Sequence, residues 1–139
     1  MRAVLGGLAL AALGTGAAAE ATLASLRGHA RVLVVSAPDA ADAGLKAQRA
    51  ALGPQRGGLA ERDLVVLEAV GESPEARVLR ADLGLPPGRF RAVLVGKDGG
   101  AKLASDAPIP PQTLFATIDA MPMRRNEMRA AGKSPPLGK

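Results

Sequence analysis

FRAVLVGKDGGAKLAS, residues 90–105, is the stretch that decides the fold. It opens with the run from Phe90 to Gly96, whose aliphatic and β-branched side chains predict a buried strand. Lys97-Asp98-Gly99-Gly100 then predicts a hairpin turn, because Asp-Gly and Gly-Gly tolerate the positive φ that such turns need. Residues 101–105 return as an antiparallel strand at a sheet edge, where Lys102 discourages further pairing.

Two more strands are predicted upstream of this hairpin, at residues 31–36 (RVLVVS) and 63–70 (DLVVLEAV). The segment between them predicts a helix that Asp39 caps at its N-terminus. Gly53-Pro54 ends this helix, and Gly57-Gly58 prolongs the break. The residues expected on its inner face are Ala41, Leu45, Gln48 and Leu52.

Residues 73–84 carry the start and stop signals of a second helix. Ser73 is a favourable N-cap with Pro74 in the first helical position. Gly84, followed by Leu85, predicts a left-handed C-cap with its hydrophobic contact. The inward stripe is expected to consist of Val78, Leu79 and Leu83.

A third helix is predicted after Pro110-Pro111, with Pro122 ending or kinking it and residues 123–129 forming a further helical turn. Its apolar face is expected to contain Leu114, Phe115, Ile118 and Met121. The order of elements is then βαβαββα. Strands joined by crossover helices are parallel, and the hairpin adds antiparallel strands. The sequence therefore predicts an α/β domain with a mixed four-stranded sheet and helices on both faces.

The N-terminus has the three parts of a secretory signal peptide: the charged Met1-Arg2, the apolar residues 3–13 and the small residues Ala17-Ala18-Ala19. We expect cleavage after Ala19 and a periplasmic or secreted product. The alternative is an uncleaved anchor over residues 3–19, a length at the lower limit for spanning a membrane. The predicted organisation is a signal peptide (1–19), one domain (20–129) and a basic disordered tail (130–139).

Composition excludes several classes of function. The chain of 139 residues has no Cys, one His and two Phe, so no thiol nucleophile, disulfide framework or Cys-ligated metal site can form. Two Phe do not make a stacking platform for single-stranded nucleic acid. The net charge of +5 comes mostly from the segment after Met121, while residues 20–120 are neutral. We therefore predict no nucleic-acid partner.

The order of elements looks like the thioredoxin fold. The motifs RDLVV (62–66), LVGKDGGAKL (94–103) and IDAMPMRRNEM (118–128) are similar to those of a bacterial family of secreted proteins with a domain of unknown function (DUF 4174). That family is grouped with thioredoxin- and peroxiredoxin-like domains of sushi-repeat and coiled-coil-domain proteins. The resemblance implies a fold without an established activity. Thiol redox chemistry is excluded, because residues 37–42 (APDAAD) stand where Cys-x-x-Cys would be.

The most unusual stretch is Met121–Met128, where flexible methionines stand beside two arginines. It is either a docking strip for a partner or an anionic group, or a structural element in which Arg124 or Arg125 pairs with Asp119 or Glu127. The turn at residues 97–100 is likewise either an anion-binding loop or a simple hairpin with charged tips. The candidate interaction residues are Lys97, Asp98, Lys102, Met121, Met123, Arg124, Arg125 and Glu127.

We predict an exported, redox-inactive binding or interaction module whose partner is an unidentified protein or anionic ligand. We assign no catalytic residue, cofactor or metal ligand, and no membrane segment remains after signal cleavage. The alternative is an acid–base enzyme, such as a hydrolase, that uses Asp63, Asp98 or His29. A third interpretation, binding of nucleic acid or of an anionic surface through the basic tail, fits the charge, but the chain lacks the aromatic side chains and the basic face that such binding needs.

Overall fold

The computed structural model describes residues 22–132. The predicted signal peptide and residues 133–139 of the predicted tail lie outside this range. The strands are β1 (Arg31–Ala37), β2 (Leu64–Val70), β3 (Arg91–Val95) and β4 (Ala101–Ser105). The helices are α1 (Leu23–Leu26), α2 (Ala43–Leu52), α3 (Arg56–Glu61), α4 (Pro74–Leu83), α5 (Pro111–Asp119) and α6 (Pro122–Ala130), with a 3-10 turn at Gly53–Gln55.

The four strands form one mixed sheet in the order β2-β1-β3-β4. β1 pairs with β2 in parallel and with β3 antiparallel, and β3 pairs with β4 antiparallel. Every residue of β1 is buried, as expected for a central strand with helices on both sides. The structure confirms the predicted α/β class, the mixed four-stranded sheet and the edge position of β4.

Helices cover both faces of the sheet, as predicted. On one face the side chains of Leu33 and Val35 pack with α2 and α5 in a core that includes Leu45, Leu114 and Ile118. On the other face a second core, formed around Val32 and Val34, is covered by α1 and α4. The partly buried side chains of this second cover are Leu23, Leu26, Leu79 and Leu83.

Three details of α2 and the segment after it were predicted wrongly: the N-cap, the break at residues 57–58, and the inner position of Ala41, which is exposed and precedes the helix. The N-cap is Asp42, whose Oδ2 accepts from the Leu45 amide at 3.0 Å, and not Asp39. Asp39 instead accepts from the Ala41 amide at 2.9 Å, a local turn that precedes the helix. Residues 57–58 do not prolong the break, because they lie inside α3, where a Cβ on Gly58 would stand 2.8 Å from the Phe115 ring.

In α4 the predicted caps are confirmed and one predicted core residue is wrong. Ser73 caps the N-terminus, and Gly84 ends the helix with a φ of 65°. Val78 points outward and is 55% exposed. Arg80 is buried instead, because its guanidinium donates to Ser36 Oγ at 2.9 Å and to backbone carbonyls at the ends of β1 and β2, those of Ala37, Ala69 and Gly71.

The C-terminal helices pack as two separate elements. α5 ends at Asp119, and Pro122 occupies the first turn of α6, where its missing N–H costs nothing. The further turn predicted for residues 123–129 is thus a nine-residue helix. Of the helices within residues 22–132, none has the length and apolarity to cross a membrane.

Candidate functional site at the β3–β4 turn

A cavity of about 520 Å³ opens where the β3–β4 turn faces the junction of α5 and α6. One of its walls is apolar and consists of Met121, Pro122 and Met123. Met123 is 50% exposed, and a methionine side chain adapts easily to a bound group. We call this cavity the turn-end pocket; its lining residues are Arg31, Gly96, Lys97, Asp98, Lys102, Thr117, Ala120, Met121, Pro122 and Met123.

The polar wall is built by the turn itself. Asp98 accepts from the Gly100 amide at 2.8 Å and from Lys102 Nζ at 2.9 Å. The hydrogen bonds from the Lys102 ammonium and the Gly100 amide lower the pKa of the Asp98 carboxyl. Gly99 has a φ of 87°, so the turn adopts the positive φ that its glycines predicted. A charged pair thus stands beside the apolar wall.

Lys97 connects the turn to two other elements. Its Nζ donates to Asp63 Oδ2 at 2.9 Å, before β2, and to Glu127 Oε2 at 2.7 Å, on α6. Burial by itself would lower the pKa of Lys97, but the hydrogen bonds and charges of Glu127 and Asp63 outweigh it and raise this pKa. The ammonium stays charged and holds α6 against the end of the sheet.

Arg31, the first residue of β1, is 1% exposed and lies under the pocket. Its Nη1 and Nη2 each donate to a carboxylate oxygen of Glu127 at 3.2 Å, and Nη1 also donates to the Arg62 carbonyl at 2.8 Å. Burial would raise the pKa of Glu127, but the hydrogen bonds and charges of Lys97 and Arg31 lower it. We call these four residues the inner ion cluster: Arg31, Asp63, Lys97 and Glu127.

A second set of ion pairs holds the other side of α6. Arg124 is 3% exposed and donates to Asp119 Oδ1 at 3.0 Å and to Glu61 Oε2 at 2.8 Å. Arg62 makes two hydrogen bonds to the same Asp119 carboxylate and stacks 4.1 Å from the centre of the Phe115 ring. We call these four residues the outer ion cluster: Glu61, Arg62, Asp119 and Arg124.

Residues 22–127 match a family described as Domain of unknown function (DUF4174). The chain belongs to the DUF4174 family. The match runs from the first described residue to Glu127, the carboxylate of the inner ion cluster. It therefore covers the whole sheet and both ion clusters.

A curated relative of this DUF4174 chain is the Sushi repeat-containing protein SRPX of Rattus norvegicus. The two are 33% identical over an alignment of 112 residues, and the match covers 70% of this chain and 24% of the relative. The chain thus spans about a quarter of that protein's length. No solved structure matches this chain at a significant level.

The DUF4174 structure separates the predicted interaction residues into two groups. Five of them line the turn-end pocket: Lys97, Asp98, Lys102, Met121 and Met123. Arg124 and Glu127 belong to the ion clusters, in the pairings of the structural alternative, with Arg124 Nη1 also 3.9 Å from Glu127 Oε1. Arg125 is half-buried, and its Nε has no hydrogen-bond partner within the described residues.

Sequence reasoning missed three residues of this region, Arg31, Glu61 and Arg62, and it named Asp119 only as a possible partner of Arg124 or Arg125. Arg31 had one detectable signal, because it is the only charged residue in a strand that is otherwise apolar or small. The others are joined by contacts between residues that lie far apart in the chain, such as the 57 positions that separate Arg62 from Asp119.

The residues of the enzyme alternative do not meet in the turn-end pocket. Asp98 lines it, whereas Asp63 and His29 do not. Asp63 has an unusual positive φ of 50° just before β2, and its carboxylate bonds Lys97. His29 is exposed after α1. Within residues 22–132 there is no group of three or more His, Asp or Glu side chains that would hold a metal ion.

Proposed function

We propose that this DUF4174 chain is a non-catalytic interaction module whose turn-end pocket receives an apolar side chain of a partner protein. The observation that carries the proposal is the half-exposed Met123 on an apolar wall beside a cavity of about 520 Å³. Exposed large apolar side chains that line a concave site are typical of binding surfaces. Lys102 and Asp98, at the polar wall, orient the polar backbone of the bound segment.

The state of the carboxylates favours binding over acid–base catalysis. A general acid or base works best when its pKa is near the operating pH. The pKa of Asp98 is lowered by Lys102 and Gly100, which moves it away from that range. Asp63 is bonded to Lys97. These carboxylates stabilise the turn and the inner ion cluster.

The curated relative supports a modular role. This chain corresponds to a quarter of a longer protein whose name states that it contains sushi repeats. A unit that occurs within such a longer chain contributes a surface to it, and the turn-end pocket is a surface of this kind. We further propose that the present chain has a thioredoxin-like topology and is exported, with Glu20 as the first residue of the mature form, on the signal-peptide pattern of residues 1–19.

The test uses the methionine methyl groups as reporters. Peptides of about twelve residues are selected against the protein from a random display library, and the tightest binder is titrated into protein labelled with ¹³C at the methionine methyls. We expect the Met121 and Met123 signals to shift, because these residues line the pocket. Met128 is 5% exposed in the core and serves as the internal control, whose signal stays in place.

Matched variants make this test specific. Met123→Ser should weaken peptide binding at least tenfold, because it removes the apolar wall. Val78→Ser changes the other large apolar side chain that is exposed among residues 22–132, which lies on α4 away from the pocket, and should leave binding unchanged. Peptides that bind Met123→Ser as tightly as the original protein, or a library without binders, would contradict the proposal.

A further inference from the structure

The outer edge of β2 presents a row of free peptide groups. In a parallel pair, alternate residues turn their N–H and C=O groups towards the neighbouring strand. Arg31 N donates to Asp63 O at 2.8 Å, and Gly71 N donates to Ala37 O at 3.3 Å. The odd-numbered residues of β2 therefore face β1. The peptide groups that face outward, and that bond to nothing within residues 22–132, are those of Leu64, Val66, Glu68 and Val70.

This edge lacks the devices that protect the opposite one. β4 is five residues long, carries Lys102, and its pairing with β3 is interrupted by a bulge at Leu94/Val95. β2 has seven residues, LVVLEAV, with no Pro or Lys and an uninterrupted register. Proteins commonly blunt exposed edges with charge, Pro or bulges. Glu68 is therefore the one residue of β2 whose charge affects pairing at this edge.

A shallow apolar groove of about 220 Å³ runs beside this edge. Leu52, Leu59 and Val66 contribute to its apolar lining. Arg56 and Glu68 stand at its rim, where Glu68 pairs with Arg49 at 2.6 Å. Arg56 is exposed and has no ion-pair partner within the part of the chain that the structure describes. A strand that is added at this edge would complement the charge of Arg56 if it carried a carboxylate at this position.

We propose that a second copy of this chain adds its own β2 antiparallel at this edge, so that two sheets join into one. In antiparallel pairing, residues with outward peptide groups must oppose each other. One register pairs all four residues that have outward peptide groups. It places Leu64 opposite the partner's Val70 and Val66 opposite the partner's Glu68, so that Leu67 lies on the two-fold axis. The partner's Glu68 then stands over the groove that Val66 and Arg56 line. In the second copy this carboxylate also pairs with Arg49 of that copy, and at the joined edge it becomes the acidic neighbour of Arg56.

The register is tested by single cysteine substitutions, because the full chain has no Cys of its own. Two copies of Leu67→Cys meet at the axis as a non-hydrogen-bonded pair, with Cα atoms about 4.5 Å apart, which suits a disulfide. We expect copper-phenanthroline oxidation to convert Leu67→Cys into covalent dimers. Val66→Cys and Glu68→Cys should give at least tenfold less dimer, because neither residue opposes its own copy in this register.

Backbone and charge variants test the dimer without any cross-link. Analytical ultracentrifugation of the full chain, without oxidant, measures the fraction of dimer for each variant. Glu68→Pro removes one outward N–H and leaves the bonds to β1 intact, so it should abolish the dimer while circular dichroism stays unchanged. Glu68→Ala removes only the charge and should weaken the dimer less. A monomeric original protein, or cross-linking that favours Val66→Cys or Glu68→Cys, would overturn the proposal. The turn-end pocket shares no residue with this edge, so its own test is independent.

Discussion

Two adjacent arginines at the start of α6 have different surroundings. Arg124 is 3% exposed and its guanidinium bonds both Asp119 and Glu61. Burial by itself would lower the pKa of Arg124, but the hydrogen bonds and charges of these two carboxylates raise it. Arg125 is half-buried and makes no ion pair within the described residues. Successive side chains on a helix point in directions that differ by about 100°, so Arg124 and Arg125 lie in different surroundings.

We expect Arg124→Gln to lower the free energy of unfolding by about 2 kcal/mol, because it leaves Asp119 short of a charged donor. The loss stays below that of a fully buried pair, because Glu61 reaches solvent. Arg125→Gln is the matched control and should change stability by less than roughly 0.5 kcal/mol. Urea unfolding of both variants measures the difference. Equal losses for the two would show that Arg124 does not clamp α6.

At the scale of elements, the start of α2 depends on which of two nearby aspartates caps it. Asp42 accepts from the Leu45 amide, three residues into the helix, and so satisfies an amide that has no partner within the helix. Asp39 accepts from the Ala41 amide and shapes the turn before α2. Both are favourable capping residues in sequence, and the path of the chain from β1 selects between them.

Asp42→Ala should destabilise the protein by about 1 kcal/mol, the usual cost of losing an N-cap. Asp39→Ala should cost less than roughly 0.5 kcal/mol, because an exposed turn hydrogen bond is easily replaced by water. Thermal unfolding monitored by circular dichroism distinguishes the two variants. A larger loss for Asp39→Ala would mean that α2 begins earlier than residue 43.

At the scale of the whole molecule, the inner ion cluster joins distant parts of the chain. Arg31 and Glu127 are 96 positions apart, and Lys97 connects the same carboxylate to the β3–β4 turn. Because Lys97 and Arg31 lower the pKa of Glu127 in the folded protein, the folded state favours the charged carboxylate. Its contribution is therefore present above the ordinary pKa of 4.5 and is lost as the pH falls through the lowered folded value.

Glu127→Gln should therefore make the protein less stable at pH 7 and less sensitive to acid below about pH 4.5. The free energies of unfolding of the original protein and of the variant, measured between pH 7 and pH 2.5, give the dependence of stability on pH for each. Glu72→Gln is the control, because the Glu72 carboxylate pairs with Arg77 at the exposed surface. A Glu127→Gln variant whose acid slope equals that of the original protein would rule out this carboxylate as a source of the pH dependence.

The sequence by itself determined the order of the four strands and of α2, α4 and α5 between and after them, the β3–β4 hairpin, both caps of α4 and the inward position of Gln48. These features depend on interactions within a few residues of the chain, where propensity, capping and periodicity act. Gln48 shows the limit of this reasoning: its place on the inner face was predicted, but its partner was not. Its amide group bonds both backbone groups of Ile109, which lies 61 positions away.

Only the tertiary structure decided which charged side chains are buried, which of two aspartates caps α2, and that Arg80 rather than Val78 lies on the inner side of α4. Arg80 is buried because the ends of β1 and β2 bring three carbonyl oxygens to one place, which no local pattern encodes. The same holds for the turn-end pocket. Its apolar and polar walls come from the start of α6 and the β3–β4 turn, and the ion pair between Lys97 and Glu127 joins these elements across 30 positions of the chain.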